Sequence, residues 1–415
     1  MSDIQPYRIA ISDAGLSDLK SRLSGARLPD ELDGAEWDLG TPLADVKRLA
    51  QHWAVNFDWR RAEARLNELP HFTTPISVEG FETLNVHFIH RRSPRPDAIP
   101  LIFVHGWPGS FYEGTKIVEP LAEGTGEGGA PAFHVVVPSL PSFGFSEGTK
   151  KRGFSIAQHA EVMNKLMLKL GYDQYVTQGG DWGWAITRAM SYFYPAHARA
   201  QHVNLGMGSP PSLLRHPLLA VESMVKPWTQ REKEGLARSK WFRQEGRGYN
   251  QVQSTRPQTI GYALADSPVA LLSWIYEKLH DWTDSYPWTD DEVCTWMSIY
   301  WFSTAGPAAS VRLYYENMHE NTSAAGGSAI GGGQNLWNEM AKYQNVKMGL
   351  GHFPKDVIAL PAVWSRQMGN VVHEKQHPKG GHFPAWENPE AIIGDLRAMF
   401  GEKGGARDVL KTSKL

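Results

Sequence analysis

Short apolar runs alternate with segments of helical periodicity through the middle of this chain, and this alternation constrains the fold more than any other feature. The runs typical of strands cover residues 84–90, 101–104, 133–137 and 174–178, and the helical segments cover 156–170 and 184–194. Continuous apolar strands are typical of a sheet that is buried on both faces. The alternation therefore predicts an α/β fold with a mostly parallel central sheet covered by helices.

The pattern changes on both sides of this region, which predicts four parts. Residues 1–80 form an N-terminal helical segment, and residues 81–204 form the first part of the core. Residues 205–335 lack the alternation and are helical and aromatic-rich, so they form an insertion that ends in a Gly-rich connection. Strand-like sequence and a last helix return in residues 336–415, which complete the core and carry a C-terminal tail.

Charge and composition exclude several classes of function. Lys and Arg number 42 against 44 Asp and Glu, a formal charge of −2, so no basic surface favours nucleic acid as a partner. The sequence has no apolar run long enough for a membrane anchor and no signal peptide. Its single cysteine, Cys294, cannot form an internal disulfide and is expected to be an ordinary buried thiol.

The segment Gly179-Gly180-Asp181-Trp182-Gly183 lies between a predicted strand and a predicted helix. Small flanking residues are what a tight strand-turn-helix elbow requires, because its central residue is strained and its neighbours approach other backbone closely. An aspartate at such an elbow is a nucleophile suited to sp³ carbon, since it forms an alkyl ester with the enzyme. The alternative is that Asp181 only caps the helix.

Hydrolysis of that ester needs a general base, an acid that orients it, and backbone N–H donors for the oxyanion. His382, in a Gly-rich loop after a predicted strand, is the candidate base. Asp356 is the candidate orienting acid, although a surface carboxylate is an equal alternative from the residues alone. The loop that begins at His105 predicts that the Trp107 and Trp182 N–H groups form the oxyanion hole, while His105 itself is expected to be structural.

These residues resemble a known family, the epoxide hydrolases of the α/β-hydrolase fold, and within it the soluble, fungal-type members of the microsomal-like branch. Four motifs are similar in order and spacing: HGWPGSFYE from His105, PSFGFSE from Pro141, QGGDWG from Gln178 and GGHFPAWE from Gly380. The resemblance covers nearly the whole chain. It implies that residues 1–80 wrap the core and that residues 205–335 form a cap, or lid.

The resemblance also implies two further catalytic residues. Cap tyrosines of this family bind the epoxide oxygen and donate a proton as the ring opens, and the matching positions are Tyr249 and Tyr314. Tyr315 is the neighbour that a one-residue shift would select. With Trp107 and Trp182, the two tyrosines are the expected substrate-binding residues. The substrates are an apolar or aryl epoxide and water, and neither a metal nor an organic cofactor is expected.

Two departures from the mammalian members matter. They carry Glu where Asp356 stands, and they begin with a membrane anchor that this sequence does not have. The alternatives in function are a haloalkane dehalogenase with the same aspartate nucleophile and a ligand-binding homologue without turnover. The tyrosine pair favours the epoxide, because halide leaves without needing a proton.

The sequence ends in Ser413-Lys414-Leu415, the peroxisomal address S-K-L. A peroxisomal import receptor is therefore an expected partner, with the cytoplasm as the location if the tail is not used. A second copy of the chain, in a homodimer, is a further candidate partner.

Overall fold

The structure is a computed structural model, and it describes residues 3–124, 130–319 and 334–410. The predicted peroxisomal address and most of the Gly-rich connection lie outside the described residues.

A single sheet forms the centre of the molecule, and nine strands of the described residues belong to it. In chain order they are β1 (Gln5–Pro6), β2 (His71–Ser77), β3 (Thr83–Arg91), β4 (Ile99–Val104), β5 (Phe133–Pro138), β6 (Tyr175–Gly179), β7 (Ala198–Val203), β8 (Gln344–His352) and β9 (Gly369–Gln376). Their order in the sheet is β1-β2-β3-β5-β4-β6-β7-β8-β9. The six strands from β5 to β9 in this order are parallel, and the three at the other edge are antiparallel. The prediction of a mostly parallel sheet is confirmed.

The N-terminal edge of the sheet differs from the prediction. His71–Ser77, expected within a helical segment, is a strand that pairs with β3 along its whole length. Pro75 interrupts its β pattern and cannot donate to a ladder. It is tolerated because β1 is only two residues long and pairs with Phe72 and Thr73, which leaves the outer edge of β2 open at Pro75.

Helices cover the sheet and fill the insertion. In the first half of the chain they are α1 (Asp13–Ser24), α2 (Leu43–Gln51), α3 (Trp59–Leu66), α4 (Thr115–Glu123), α5 (Ile156–Lys169) and α6 (Trp182–Phe193). Those between β7 and β8 are α7 (Pro217–Val225), α8 (Gln230–Gln244), α9 (Gly248–Thr255), α10 (Pro257–Asp266), α11 (Pro268–Asp281), α12 (Asp290–Trp301), α13 (Arg312–Met318) and α14 (Gln334–Met340). The last are α15 (Ala362–Ser365), α16 (Pro384–Glu387) and α17 (Pro389–Phe400).

The crossovers explain how both faces of the sheet are covered. The chain moves one way along the sheet from β4 through α4 to β5 and the other way from β6 through α6 to β7. Since such crossovers are right-handed, α4 and α6 lie on opposite faces. Helix α17 packs with α4, and α5 packs with α6. Both faces are therefore buried, as the continuous apolar strands predict.

The helices α7 to α13, residues 217–318, are called the helical insertion below. The N-terminal segment packs directly against it. The Trp53 indole N–H donates to the Ser298 hydroxyl at 3.0 Å, and the Trp37 ring stacks on His280 at 3.5 Å. The N-terminal segment thus packs against helices α11 and α12 of the insertion. Among the residues that the structure describes, no helix combines the length and apolar character needed to cross a bilayer.

Candidate active site

The loop between β6 and α6 turns sharply at Asp181. Its backbone has φ 51° and ψ −129°, a conformation that residues other than glycine rarely adopt. Asp181 stands at the N-cap position of α6, yet its side chain makes no capping hydrogen bond. The carboxylate points away from the helix that it begins, which is the geometry of an elbow and not of a simple cap.

Close backbone contacts explain the glycines around Asp181. A Cβ on Gly183 would overlap the Val104 carbonyl at the end of β4, and one on Gly180 would overlap the Asn204 side chain. A Cβ on Gly179 would in turn overlap the Gly183 backbone. The turn is therefore as tight as the sequence predicts, and α6 begins directly against β4.

The Asp181 carboxylate is held from two sides. Its Oδ1 accepts a hydrogen bond of 2.8 Å from the Trp107 backbone N–H, on the loop that follows β4. Its Oδ2 lies 3.3 Å from His382 Nε2. The Trp182 backbone N–H opens α6 next to it, at the positive end of the helix dipole. Both residues of the predicted oxyanion pair thus adjoin Asp181.

His382 lies on the loop between β9 and α16 and is buried together with Asp356. Its Nδ1 is 2.7 Å from Asp356 Oδ1, on the loop after β8. The two carboxylates and the imidazole form one continuous line, Asp356–His382–Asp181, although 26 residues separate the first two and about 200 separate the last two in the chain. The alternative of Asp356 as a surface carboxylate is wrong, since its side chain is 2% exposed.

The line of charges sets the protonation of His382. Burial disfavours the imidazolium, but the carboxylates of Asp356 and Asp181 outweigh it and raise the pKa of His382 to about 10. In the resting protein the ring is therefore a cation held between two anions. Loss of either anionic charge lowers this pKa.

Tyr249 and Tyr314, from α9 and α13 of the helical insertion, lie over the same site. The Tyr249 ring stacks on Trp107 with centroids 5.1 Å apart, and the Tyr314 ring meets the Trp182 ring edge-on at 4.9 Å. The two phenol rings are 5.8 Å apart. The structure brings both tyrosines together over the elbow.

Tyr315 points elsewhere. Its ring stacks on His319 at 3.9 Å, and its hydroxyl accepts a hydrogen bond of 3.4 Å from Arg152. Successive residues on a helix differ by about 100° in direction, so only one of the pair can face the site. The structure selects Tyr314.

Both buried phenols keep their protons at neutral pH. Burial, reinforced by the Asp181 carboxylate, raises the pKa of Tyr249 well above its usual range. Burial also raises the pKa of Tyr314, and the neighbouring Tyr249 and Asp181 add to the shift. The site thus places two protonated phenols opposite the Asp181 carboxylate.

Trp282, at the end of α11, connects the insertion to His382. Its backbone carbonyl accepts a hydrogen bond of 2.7 Å from the His382 N–H, and its ring meets the imidazole edge-on at 5.0 Å. Its ring also lies 5.2 Å from Tyr249. Sequence reasoning did not single out Trp282; the only signal was its place among seven tryptophans between Trp228 and Trp301.

His105 stays outside the line of charges. Its Nε2 accepts from the Leu140 N–H at 3.2 Å and its Nδ1 faces the Gly106 carbonyl at 2.9 Å. Burial lowers its pKa to about 4, so it is a neutral, structural histidine as predicted.

Glu113 is a residue of the site that sequence reasoning missed. It lies in a single turn of 3₁₀-helix, Phe111–Gly114, and is 7% exposed. With Asp181 and His382 it lines a small cavity. The signal was present, because Glu113 is the last residue of the motif that begins at His105.

Two family models match the chain. The description "Epoxide hydrolase N terminus" applies to residues 4–114, and "alpha/beta hydrolase fold" applies to residues 99–239. Together they cover the N-terminal segment, the loop with Trp107 and the elbow with Asp181.

Relatives match over nearly the whole chain. A protein of Stigmatella aurantiaca that carries a provisional epoxide hydrolase name is 36% identical over 96% of this chain and 84% of its own. Epoxide hydrolase 1 of Sus scrofa is 32% identical over 96% of this chain and 88% of its own. The solved structure of Aspergillus niger epoxide hydrolase superposes with a TM-score of 0.80 at 34% identity and covers 95% of both chains. With an aspartate at the elbow, a histidine and a second aspartate in line behind it, and these relatives, the chain belongs to the epoxide hydrolase family of the α/β-hydrolase fold.

Proposed function

We propose that this enzyme hydrolyses an epoxide to a vicinal diol through a covalent ester on Asp181. The observation that carries the proposal is one arrangement: the carboxylate of Asp181 lies between a charged imidazole and two buried, protonated phenols. The carboxylate supplies a nucleophile, the phenols supply the acid that a strained ether needs, and the imidazole supplies a base for the second step.

In the first step Asp181 opens the ring. Its Oδ1 is held by the Trp107 N–H, so Oδ2 is the oxygen that attacks the epoxide carbon. The carbon–oxygen bond of the ring breaks, and the leaving oxygen takes a proton from Tyr249 or Tyr314. The products are an alkyl ester of Asp181 and one new hydroxyl group.

Ester formation removes the negative charge of Asp181. One of the two anions that stabilise the His382 cation is then lost, so the pKa of His382 falls from about 10 towards its ordinary range. The proton released replaces the one that the tyrosine gave up. His382, oriented by Asp356, becomes the neutral base that activates water.

We further propose that the helical insertion acts as the cap over this site and that the substrate is apolar or aryl. Trp107, Trp182 and Trp282 surround the tyrosine pair, and rings of this kind are the usual lining of apolar ligand sites. This arrangement supports the predicted cap role of the insertion between β7 and β8.

The experiment is mass spectrometry of the His382→Gln variant after brief exposure to styrene oxide and, separately, to 1-bromohexane. We expect an adduct with the mass of the intact epoxide on the Asp181 peptide and none from the haloalkane. An alkyl adduct from the haloalkane alone would make the protein a dehalogenase. An unmodified Asp181 with rapid turnover would refute the ester.

Two finer proposals concern location and assembly. We propose import into peroxisomes through Ser413, Lys414 and Leu415, tested by imaging a tagged chain with and without these residues.

We also propose a homodimer, supported by the exposed apolar side chains Leu214, Leu218, Met224 and Val225, each more than 70% exposed. Light scattering on the wild type and on Leu218→Glu would test it, since a monomeric wild type refutes the dimer.

A further inference from the structure

Glu113 is a buried carboxyl group that the two-step scheme leaves without a role. It lines the same cavity as Asp181 and His382, yet it belongs neither to the line of charges nor to the tyrosine pair. Burial of a carboxyl group costs free energy unless the group is hydrogen-bonded or paired with an opposite charge. Its position raises the question of which reactant it serves.

The surrounding turn holds the Glu113 carboxyl group in place. A Cβ on Gly109 would overlap Glu113 Oε1, so the carboxyl group lies directly against the Gly109 backbone. The Gly109 carbonyl accepts a hydrogen bond of 2.6 Å from the Tyr300 hydroxyl, and the Pro108 carbonyl accepts one of 2.7 Å from the Trp296 indole. Two residues of the insertion therefore immobilise the turn that carries Trp107 and supports Glu113.

The cavity beside Glu113 lies on the core side of Asp181. Its wall includes Val104 at the end of β4, Asn204 after β7, and residues 383–385 beyond the base. Neither Tyr249 nor Tyr314 belongs to this wall. The epoxide oxygen faces the tyrosines, so the cavity offers a separate approach to the Asp181 carbonyl carbon from the side of His382.

The electrostatics agree with this placement. Burial raises the pKa of Glu113 to about 8, His382 and the Ser110 N–H oppose the shift, and Asp181 reinforces it. The group therefore interacts with both the nucleophile and the base. Protonated or not, it keeps a carboxyl oxygen that can accept a hydrogen bond.

We propose that the cavity is the site of the hydrolytic water and that Glu113 positions this water between itself and His382. The inference rests on the proposed function. One O–H of the water donates to His382 Nε2 and the other donates to Glu113. The water oxygen is thereby directed at the Cγ atom of the Asp181 ester.

The second step then balances. The water oxygen bonds to Cγ, its proton passes to His382, and the oxyanion forms at Oδ1, where the Trp107 N–H holds it. The bond between Cγ and Oδ2 breaks, and Oδ2 leaves on the substrate carbon, where it takes the proton from His382 and becomes the second hydroxyl group of the diol, while the water oxygen stays in the Asp181 carboxyl group. The new carboxyl group of Asp181 returns its own proton to His382, and Glu113 ends in the state in which it began.

Single-turnover kinetics separate this role from a structural one. We expect Glu113→Ala to form the Asp181 ester at nearly the wild-type rate and to hydrolyse it about 10- to 100-fold more slowly, so that the ester accumulates. Glu113→Gln keeps an acceptor oxygen and should recover much of the hydrolysis rate. The Glu113→Gln variant also tests the proposal if Glu113→Ala does not fold.

Glu63→Ala is the matched control, because Glu63 is a buried glutamate of the N-terminal segment, held by the Trp59 indole and Arg60. It should lose stability without a change in the ratio of the two rates. Equal slowing of both steps in folded Glu113 variants, or no slowing in either, would overturn the water site. If His382→Gln also accumulates no ester, the proposed function fails first, and with it this inference.

Discussion

Asp181 shows how a strained backbone turns a side chain at an N-cap position away from the helix that follows it. At φ 51° its side chain is turned away from the α6 N–H groups and towards the Trp107 N–H and His382. Strained backbone of this kind persists only where surrounding contacts enforce it. Here the packing of Gly180 and Gly183 against Asn204 and Val104 enforces it.

At the scale of residues, the two tyrosines can be tested against their own neighbour. We expect the double variant Tyr249→Phe/Tyr314→Phe to slow ester formation about 100-fold or more, because the proposed proton donors to the leaving oxygen would be removed. Stopped-flow tryptophan fluorescence would follow this step, since Trp107 and Trp182 adjoin the ester. Tyr315→Phe is the matched control and should leave the rate unchanged. A slow Tyr315 variant beside a fast double variant would reverse the assignment.

At the scale of elements, the start of α6 depends on contact with the end of β4. We expect Gly183→Ala to destabilise the fold by about 1 to 3 kcal/mol and to displace Asp181, because its Cβ would overlap the Val104 carbonyl. The midpoint of urea denaturation and the rate of ester formation would measure both effects.

Gly394 offers a control for the same substitution. It lies inside α17, and a Cβ there would meet nothing within 4 Å. Gly394→Ala should therefore stabilise the protein by about 0.5 to 1 kcal/mol, since alanine loses less backbone entropy in a helix. If both variants behaved alike, steric contact at the elbow would not explain the glycine.

The second half of the core is joined to the insertion through main-chain carbonyls. Arg238 of α8 donates to the carbonyls of Asp356 at 2.8 Å and of Asp281 at 2.6 Å. Arg231 donates to the His352 carbonyl at 2.8 Å. One helix of the insertion thus fixes the position of the loop that carries Asp356.

At the scale of the whole molecule, one buried carboxylate ties α17 to the sheet. Asp395 is fully buried and lies 2.7 Å from His377, 3.1 Å from His373 and 3.4 Å from His202. Burial alone would raise its pKa, but these histidines hold the pKa well below the usual range. Because the folded-state pKa is depressed, the Asp395 carboxylate stabilises the fold at neutral pH.

We expect Asp395→Asn to lower the free energy of unfolding by about 3 to 5 kcal/mol at pH 7. A carboxyl group with a depressed folded-state pKa contributes stability above its unfolded pKa, near 3.9, and loses it as pH falls through the folded value. The difference between wild type and variant should therefore shrink below about pH 4. Thermal denaturation across pH 2.5 to 7 would show it, and a difference that stays constant would contradict the assignment.

The sequence by itself determined the features that depend on neighbouring residues. The apolar runs predict the parallel strands, because a strand buried on both faces must be apolar throughout. The glycines around Asp181 predict the elbow, because only small residues fit a turn pressed against other backbone. The sequence also predicts Asp181, Asp356 and His382 as candidate site residues, because each follows a predicted strand and the three occur in the order typical of this fold.

Only the tertiary structure decided the features that join distant segments. The strand at His71–Ser77 depends on pairing with β3, which outweighs the local signal of Pro75. The choice of Tyr314 over Tyr315 depends on how α13 is rotated against the core, and Glu113 meets His382 only through a fold that joins residues 269 positions apart. Local patterns reflect short-range sterics and periodicity, whereas these contacts arise from the packing of whole elements.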